Sequence, residues 1–114
     1  MDLCLINIGD RQFSTPEIDV IHLLMEDESS RWTLAEIMDS LPYIADDVHR
    51  AVSRLVRSGL LDRTDDGLSE SIYKITLRVS ESSRAWMREH QHDIDDAFIM
   101  INPDMFDVTE VAEA

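Results

Sequence analysis

Three arginines, Arg50, Arg54 and Arg57, follow one another at spacings of four and three residues. In a helix this spacing places their side chains on one face. A guanidinium group binds a phosphate through two parallel hydrogen bonds, and it can recognise guanine in the same way. The spacing therefore predicts a helix face that is suited to binding phosphate groups. The alternative is a solvated face on which the arginines pair with local acids such as Asp46 and Asp47.

The segment from His90 to Asp93 holds the other side chains that could do chemistry. Positions i and i+2 of a helix point about 200° apart, so His90 and His92 could share a metal ion only where the helix end unwinds. Cys4 is the single cysteine, which excludes an internal disulfide and a cysteine-based zinc cluster. The three glycines are scattered, so no phosphate-binding loop is predicted. We expect no enzyme activity, no metal and no cofactor.

The net charge of −14 is distributed unevenly along the 114 residues. Residues 1–30 carry −6, residues 31–90 carry −1 and residues 91–114 carry −7. Acids repel phosphates, but charges beyond about 8–10 Å from a docking face are largely screened at physiological salt. The acidic ends are therefore compatible with DNA binding if they lie away from the arginines. If the acidic tail covers the arginines, it competes with DNA.

The length predicts one domain, which we divide into an N-terminal arm (1–13), a central domain (14–92) and an acidic, partly apolar extension (93–114). No apolar segment is long enough to span a membrane, and the N-terminus lacks the basic flank of a secretory signal. We expect a cytoplasmic protein that does not associate with membranes.

Two capping boxes predict where the first two helices begin. Ser14 with Glu17, and Thr33 with Glu36, have the required spacing, and each pair precedes apolar residues at helical intervals. A third amphipathic helix is expected to end at Ser58-Gly59, since glycine is the usual residue just beyond a helix. The expected ends of the first two helices are Glu28–Ser29 and Leu41.

Three extended segments are also predicted. The apolar residues Leu3–Ile8 predict a short N-terminal strand. After the third helix, a strand from Leu60, a turn at Asp65–Gly67 and an alternating strand at Ser71–Val79 predict a hairpin. A fourth helix capped by Ser80 or Ser82 follows, and then a short helix before Asn102-Pro103.

This order of elements resembles the winged helix-turn-helix superfamily, in particular small regulators of the MarR, ArsR and PadR kind. The resemblance covers residues 15–92 and is carried by Thr33–Ile37 in the positioning helix and by Leu55–Arg63, where the third helix passes into the wing. It implies an α+β, mostly helical fold with a three-helix core, a hairpin wing, an additional C-terminal helix and a short N-terminal strand.

The resemblance also implies a function, since in such proteins the third helix enters the major groove and the wing straddles the backbone. We therefore expect a sequence-specific, DNA-binding transcriptional regulator. Acids at the start of the third helix depart from the Ser, Thr, Arg or Gln that such proteins often carry there. Asp65, Asp66 and Glu70 of the wing depart from the Arg or Lys expected at its tip. The residues expected to contact DNA are Asp46, His49, Arg50, Arg54, Arg57, Arg63 and Lys74.

A homodimer is expected, because the fourth helix and the apolar tail have little else to cover. The residues expected at the dimer interface are Trp86, Met87, Phe98 and Ile101. The alternative function is an acidic interaction module on the same scaffold, which does not bind DNA. Such a module would engage a basic protein or imitate a nucleic acid, as some phage-encoded inhibitors do.

Overall fold

The computed structural model describes residues 5–27, 30–64 and 75–102, and within them the predicted elements follow in the predicted order. Two short strands, Arg11–Phe13 and Trp32–Thr33, were not predicted. The predicted turn at Asp65–Gly67, the first part of the Ser71–Val79 strand and the last residues of the tail lie outside these ranges. The elements are β1 (Ile6–Ile8), β2 (Arg11–Phe13), α1 (Thr15–Met25), β3 (Trp32–Thr33), α2 (Leu34–Ser40), α3 (Ala45–Arg57), β4 (Leu61–Thr64), β5 (Thr76–Val79), α4 (Glu81–Glu89) and α5 (Gln91–Ile101).

Both predicted capping boxes are confirmed. The Ser14 hydroxyl accepts from the Glu17 N–H, and the Glu17 carboxylate accepts from the Ser14 N–H at 3.1 Å. The equivalent bonds between Thr33 and Glu36 are 3.1 and 2.9 Å. The first helix ends earlier than predicted, at Met25.

The second helix also ends earlier than predicted, at Ser40. Leu41 is extended, with φ −116° and ψ 147°. The cause is Pro42, because a proline ring clashes with a helical conformation of the preceding residue.

The N-terminal segment forms a two-stranded hairpin rather than the single predicted strand. β1 begins at Ile6, and Ile8 and Phe13 both point into the core. Gly9 makes the turn at φ +60°. A side chain there would be strained, and its Cβ would lie 2.7 Å from His90 Nε2. The hairpin therefore sits directly against the junction of α4 and α5.

A second sheet has the strand order β3-β5-β4, and all its pairs are antiparallel. Trp32 pairs with Leu77, and Leu61 pairs with Val79. The alternation predicted for the last strand is confirmed over its described part, because Ile75, Leu77 and Val79 are buried. The sheet packs its apolar face beside α3 and so forms the base of the wing.

Helix α1 lies at the centre of the core, in contact with both α3 and α5. Ile18, Val20 and Ile21 are fully buried. The tail is confirmed to begin with a helix, and α5 crosses the predicted domain boundary between residues 92 and 93. Because Ile94 and Ala97 are buried, this part of the acidic extension packs on the domain.

The prediction that Ser80 or Ser82 caps α4 is confirmed for the position of Ser80 but not for a capping hydrogen bond. Ser80 occupies the N-cap position, but its hydroxyl donates to the Gly59 carbonyl at 2.7 Å and does not cap the helix. Ser83 donates to the same carbonyl at 3.1 Å. The two serines therefore anchor α4 to the end of α3. Gly59, which terminates α3, has a φ of +87°.

Candidate nucleic-acid interface

Helix α3 has one apolar face and one polar face, as predicted. Val48, Ala51, Val52 and Leu55 are buried against the core. Leu60, which lies between the end of α3 and the first residue of β4, is also buried. The core thus holds α3 along one side and leaves its opposite side accessible.

The structure separates the three arginines of α3 into two kinds. Arg50 and Arg57 are exposed, and neither forms an ion pair with any residue in the described ranges. Arg54 lies beside α1, where its Nε atom is 3.8 Å from Glu17 Oε1. Glu17 has a side chain only 6% exposed, so Arg54 balances a buried carboxylate. This pair was not foreseen, because the sequence pointed to Asp46 and Asp47 as the local partners.

Asp46 and His49 occupy the first half of α3 and are both exposed. The acid at Asp46 lies in the first turn, where a negative charge interacts favourably with the helix dipole. A carboxylate at this place can also accept a hydrogen bond from cytosine N4. His49 lies on the side of α3 that borders the wing sheet.

A groove with a volume of about 280 Å³ lies between α3 and the wing sheet. Its polar rim carries His49 and Arg57 from α3 and Arg63 from β4. Its floor is apolar and includes Val52 and Leu77. The structure therefore brings together three of the residues predicted to contact DNA, from two different elements.

The remaining basic residues of the wing differ in their availability. Arg63 is exposed on β4. Arg78 on β5 has its Nε atom 3.9 Å from Asp62 Oδ2. Lys74, another residue predicted to contact DNA, lies outside the described residues. The described wing thus adds Arg63 to the exposed positive charge of α3.

Ile44 is a candidate contact residue at the start of α3 that was not predicted from the sequence. It is the N-cap residue of α3, it makes no side-chain capping bond, and it is 67% exposed. Serine, threonine, aspartate and asparagine are preferred at this position, because their side chains bond a free backbone N–H. The detectable signal was therefore the absence of a capping residue before Ala45.

Tyr43 and Asp19 hold the chain just before α3. The Tyr43 hydroxyl donates to Asp19 Oδ2 at 2.5 Å. Burial and this hydrogen bond together raise the pKa of Tyr43 to about 12. The phenol therefore stays protonated, and remains a donor, well above neutral pH.

The four predicted interface residues lie in α4 and α5 with different burial. Met87 is fully buried within the protomer. Trp86 is half-buried, and Arg11 lies over its ring with the guanidinium carbon 5.3 Å from the ring centroid. Phe98 stacks on His22 with ring centroids 3.7 Å apart, and Ile101 is half-buried.

The exposed apolar residues of α5 are different from those predicted. Ile99 is 44% exposed and Met100 is 67% exposed. Leu5, just before β1, is 45% exposed. These side chains, rather than Met87, present apolar surface to the solvent.

The two histidines considered for metal binding have different surroundings. His90 packs on Trp86, and its Nδ1 atom lies 2.9 Å from the Trp86 carbonyl oxygen. His92 is exposed and lies 3.3 Å from Asp96. Among the described residues, no group of three or more potential ligands could hold a metal ion. The helices in the same ranges are also too short or too polar to cross a membrane.

Comparisons with known proteins identify relatives by structure alone. No protein-family profile matches the sequence, and no curated protein matches it. BpsR of Bordetella bronchiseptica superposes with a TM-score of 0.58 at 14% identity, over 94% of this chain and 80% of that chain. The adhesin competence repressor AdcR of Streptococcus pyogenes superposes with a TM-score of 0.56 at 20% identity, over 88% of this chain and 72% of that chain.

These neighbours are winged-helix regulators of the MarR family and not enzymes. A second structure of AdcR superposes with a TM-score of 0.53 at 22% identity, over 99% of this chain and 76% of that chain. At such identities the likeness concerns the fold. The DNA binding of BpsR is regulated by 6-hydroxynicotinic acid. This chain has the winged helix-turn-helix fold in its MarR-type form.

Proposed function

We propose that the protein is a transcriptional regulator that binds specific duplex DNA sequences through α3. The observation that carries the proposal is the pair Arg50 and Arg57, which are exposed on one side of α3 and form no ion pair within the described ranges. In a chain with 24 acidic residues and 10 basic ones, cations without a carboxylate partner among the described residues stand out. The structural neighbours, which are DNA-binding regulators, support the same function.

The proposed roles follow from position. Arg50 and Arg57 contact phosphates or the O6 and N7 atoms of guanine. Arg63 and Lys74 follow the DNA backbone along the wing, and His49 lies between helix and wing. Asp46 accepts from cytosine N4. Arg54 makes a weaker contribution than its sequence position implies, because Glu17 holds it at 3.8 Å.

The acidic excess does not oppose this proposal where its charges are distant from α3. The acids of α5 lie on a helix that packs against α1 and β1. Charges more than about 8–10 Å from the docking face are largely screened at physiological salt. Such a regulator would act in the cytoplasm.

We also propose that the protein acts as a dimer. Ile99 and Met100 expose apolar surface on α5, and Leu5 exposes more on the N-terminal segment. Two copies with twofold symmetry would present two α3 helices to successive major grooves. In this proposal the half-buried residues Trp86, Phe98 and Ile101 contribute to the interface, whereas Met87, which is fully buried, supports it from inside the protomer.

The test begins with selection of bound fragments from a genomic library at low salt. On a selected site, Arg50→Ala and Arg57→Ala should each weaken binding. Each should also flatten the dependence of log K on log salt by about 0.9 for every phosphate that the variant no longer neutralises. Arg54→Ala is the matched control on the same helix and should change this slope less. Circular dichroism must show that all three variants are folded.

An acidic interaction module remains the second candidate, and one observation favours it. Asp93 and Asp96 are exposed on α5, and they add to the negative surface of a chain with net charge −14. If the folded protein retards no genomic fragment at low salt, the regulator proposal is wrong. Binding to a basic protein surface would then be the function to pursue.

A further inference from the structure

Helix α1 buries a second carboxylate, Asp19, which is only 1% exposed. Its Oδ2 atom accepts from the Tyr43 hydroxyl, and its Oδ1 atom accepts from Asn102 Nδ2 at 2.9 Å. Both donors are neutral. Within the described residues, no cationic side chain forms an ion pair with Asp19.

The lack of a cation is unusual for a buried acid. Transfer of an ionised carboxylate out of water is costly, so buried charges in proteins are generally paired. Glu17, two residues earlier on the same helix, follows this rule through Arg54. Asp19 is therefore a buried acid that has hydrogen-bond donors but no cationic partner in the described part of the protein.

A cavity of about 180 Å³ lies directly beside Asp19, between α1, the α2–α3 connection and α5. Glu26 adds a second acid to its wall, and Leu23, Leu41 and Phe98 supply apolar surface. Within the ranges that the structure describes, no lysine or arginine lines the cavity. His22 is part of the lining, and its Nε2 atom faces the Asp95 carboxylate at 3.5 Å.

The size and lining restrict the ligand to a small amphipathic molecule. An engineered protein cavity of about 150 Å³ accommodates benzene. A carboxylate offers about four lone-pair sites, of which the two neutral donors occupy two. An ammonium group supplies three donors and one positive charge, which suits the sites that remain.

We propose that this cavity binds a small primary amine in its ammonium form. The ammonium group pairs with the Asp19 carboxylate, and the apolar body of the amine lies against Leu23, Leu41 and Phe98. Charge complementarity selects the ligand class, because an anion would meet Asp19 and Glu26, and a neutral molecule would leave Asp19 unbalanced.

The site also lies close to the start of α3. Tyr43, which donates to Asp19, immediately precedes the N-cap residue Ile44. A ligand on Asp19 therefore acts on the residue that holds the beginning of α3. An influence of the amine on DNA affinity rests on the proposed function, whereas binding of the amine does not.

The test uses three probes of nearly equal shape: benzylammonium, benzyl alcohol and benzoate. The full chain is titrated with each probe, and binding is measured by calorimetry and by the NMR shifts of the cavity residues. Benzylammonium should bind at least about tenfold more tightly than benzyl alcohol, and benzoate should not bind. Asp19→Asn should remove this preference. Glu17→Gln, which alters the other buried acid of α1, should retain it.

A second variant guards against unfolding of Asp19→Asn. Leu41→Trp keeps the carboxylate but fills the cavity, and it should also abolish binding of benzylammonium. Equal binding of the three probes, preference for benzoate, or no shift of the cavity residues at millimolar benzylammonium would each overturn the proposal. Because no DNA is present, failure of the regulator function would leave this outcome unaffected.

Discussion

The two sides of α1 each hold a buried acid, Glu17 or Asp19, but the partners of the two acids differ. Glu17 and Asp19 are two residues apart, so they point to different sides of the helix, and both are almost inaccessible to solvent. Glu17 completes a capping box and meets the guanidinium of Arg54. Among the described residues, the Asp19 carboxylate accepts its hydrogen bonds from a phenol and an amide. The difference shows that a single helix can carry one buried carboxylate that fixes α3 and a second buried carboxylate that faces a cavity.

The largest expected effect in this comparison is that of Asp19→Ala. Removal of the carboxylate leaves the Tyr43 hydroxyl and the Asn102 amide without their acceptor, and each buried unpaired donor costs about 1–3 kcal/mol. We expect the free energy of unfolding to fall by about 2–4 kcal/mol in urea denaturation. Asp19→Asn, which retains one acceptor oxygen, should lose less. A loss as small as that of an exposed acid such as Asp46 would show that Asp19 does not hold these elements together.

A second effect concerns the titration of Tyr43, whose pKa of about 12 exceeds its ordinary value of 10.0 because of burial and the bond to Asp19. Since the folded state favours the protonated phenol, this contribution to stability is complete below pH 10 and is lost as the pH rises toward 12. In a Tyr73→Phe background, ultraviolet absorbance reports the phenolate of Tyr43 alone.

In that background, Asp19→Asn should lower the pKa of Tyr43, because the hydrogen bond to a carboxylate and its negative charge are removed. Glu17→Gln should leave the titration where it was. A pKa that responds equally to both substitutions would remove the distinction between the two sides of α1.

The smallest expected effect is that of Arg54→Met. It leaves Glu17 buried without its guanidinium, but Arg54 is itself 48% exposed, so solvent screens much of the interaction. We expect a loss of about 1 kcal/mol in the free energy of unfolding, against almost none for Arg50→Met on the exposed side of the same helix. Equal losses for the two variants would mean that the pair does not anchor α3 to α1.

Much of the fold was predictable, because it depends on local signals. The capping residues Ser14 and Thr33 act on backbone groups three residues away, so their role is visible in the sequence. The apolar face of α3 follows from helical periodicity, and the end of α3 follows from Gly59. The fold class and the exposed positions of Arg50 and Arg57 could thus be inferred from short windows.

The features that distinguish the site depend on contacts between distant residues. Glu17 meets Arg54 across 37 positions, and Asp19 meets Asn102 across 83. Such pairs arise only when whole elements pack, and no local pattern encodes them. Strand β2, with three residues and one buried side chain, is too short to show a period. The burial of Met87 was also not predictable from a local pattern, because it depends on how α4 packs on the core.

The contact between Gly9 and His90 has a consequence for how the protein can change over generations. Even one methyl group on Gly9 would enter the space of the imidazole, whose other neighbour is the Trp86 ring. Any larger residue at position 9 must therefore adopt a positive φ, and it also requires a smaller side chain at position 90 or a shift of the first hairpin. The two positions, far apart in the chain, are expected to co-vary in natural variants.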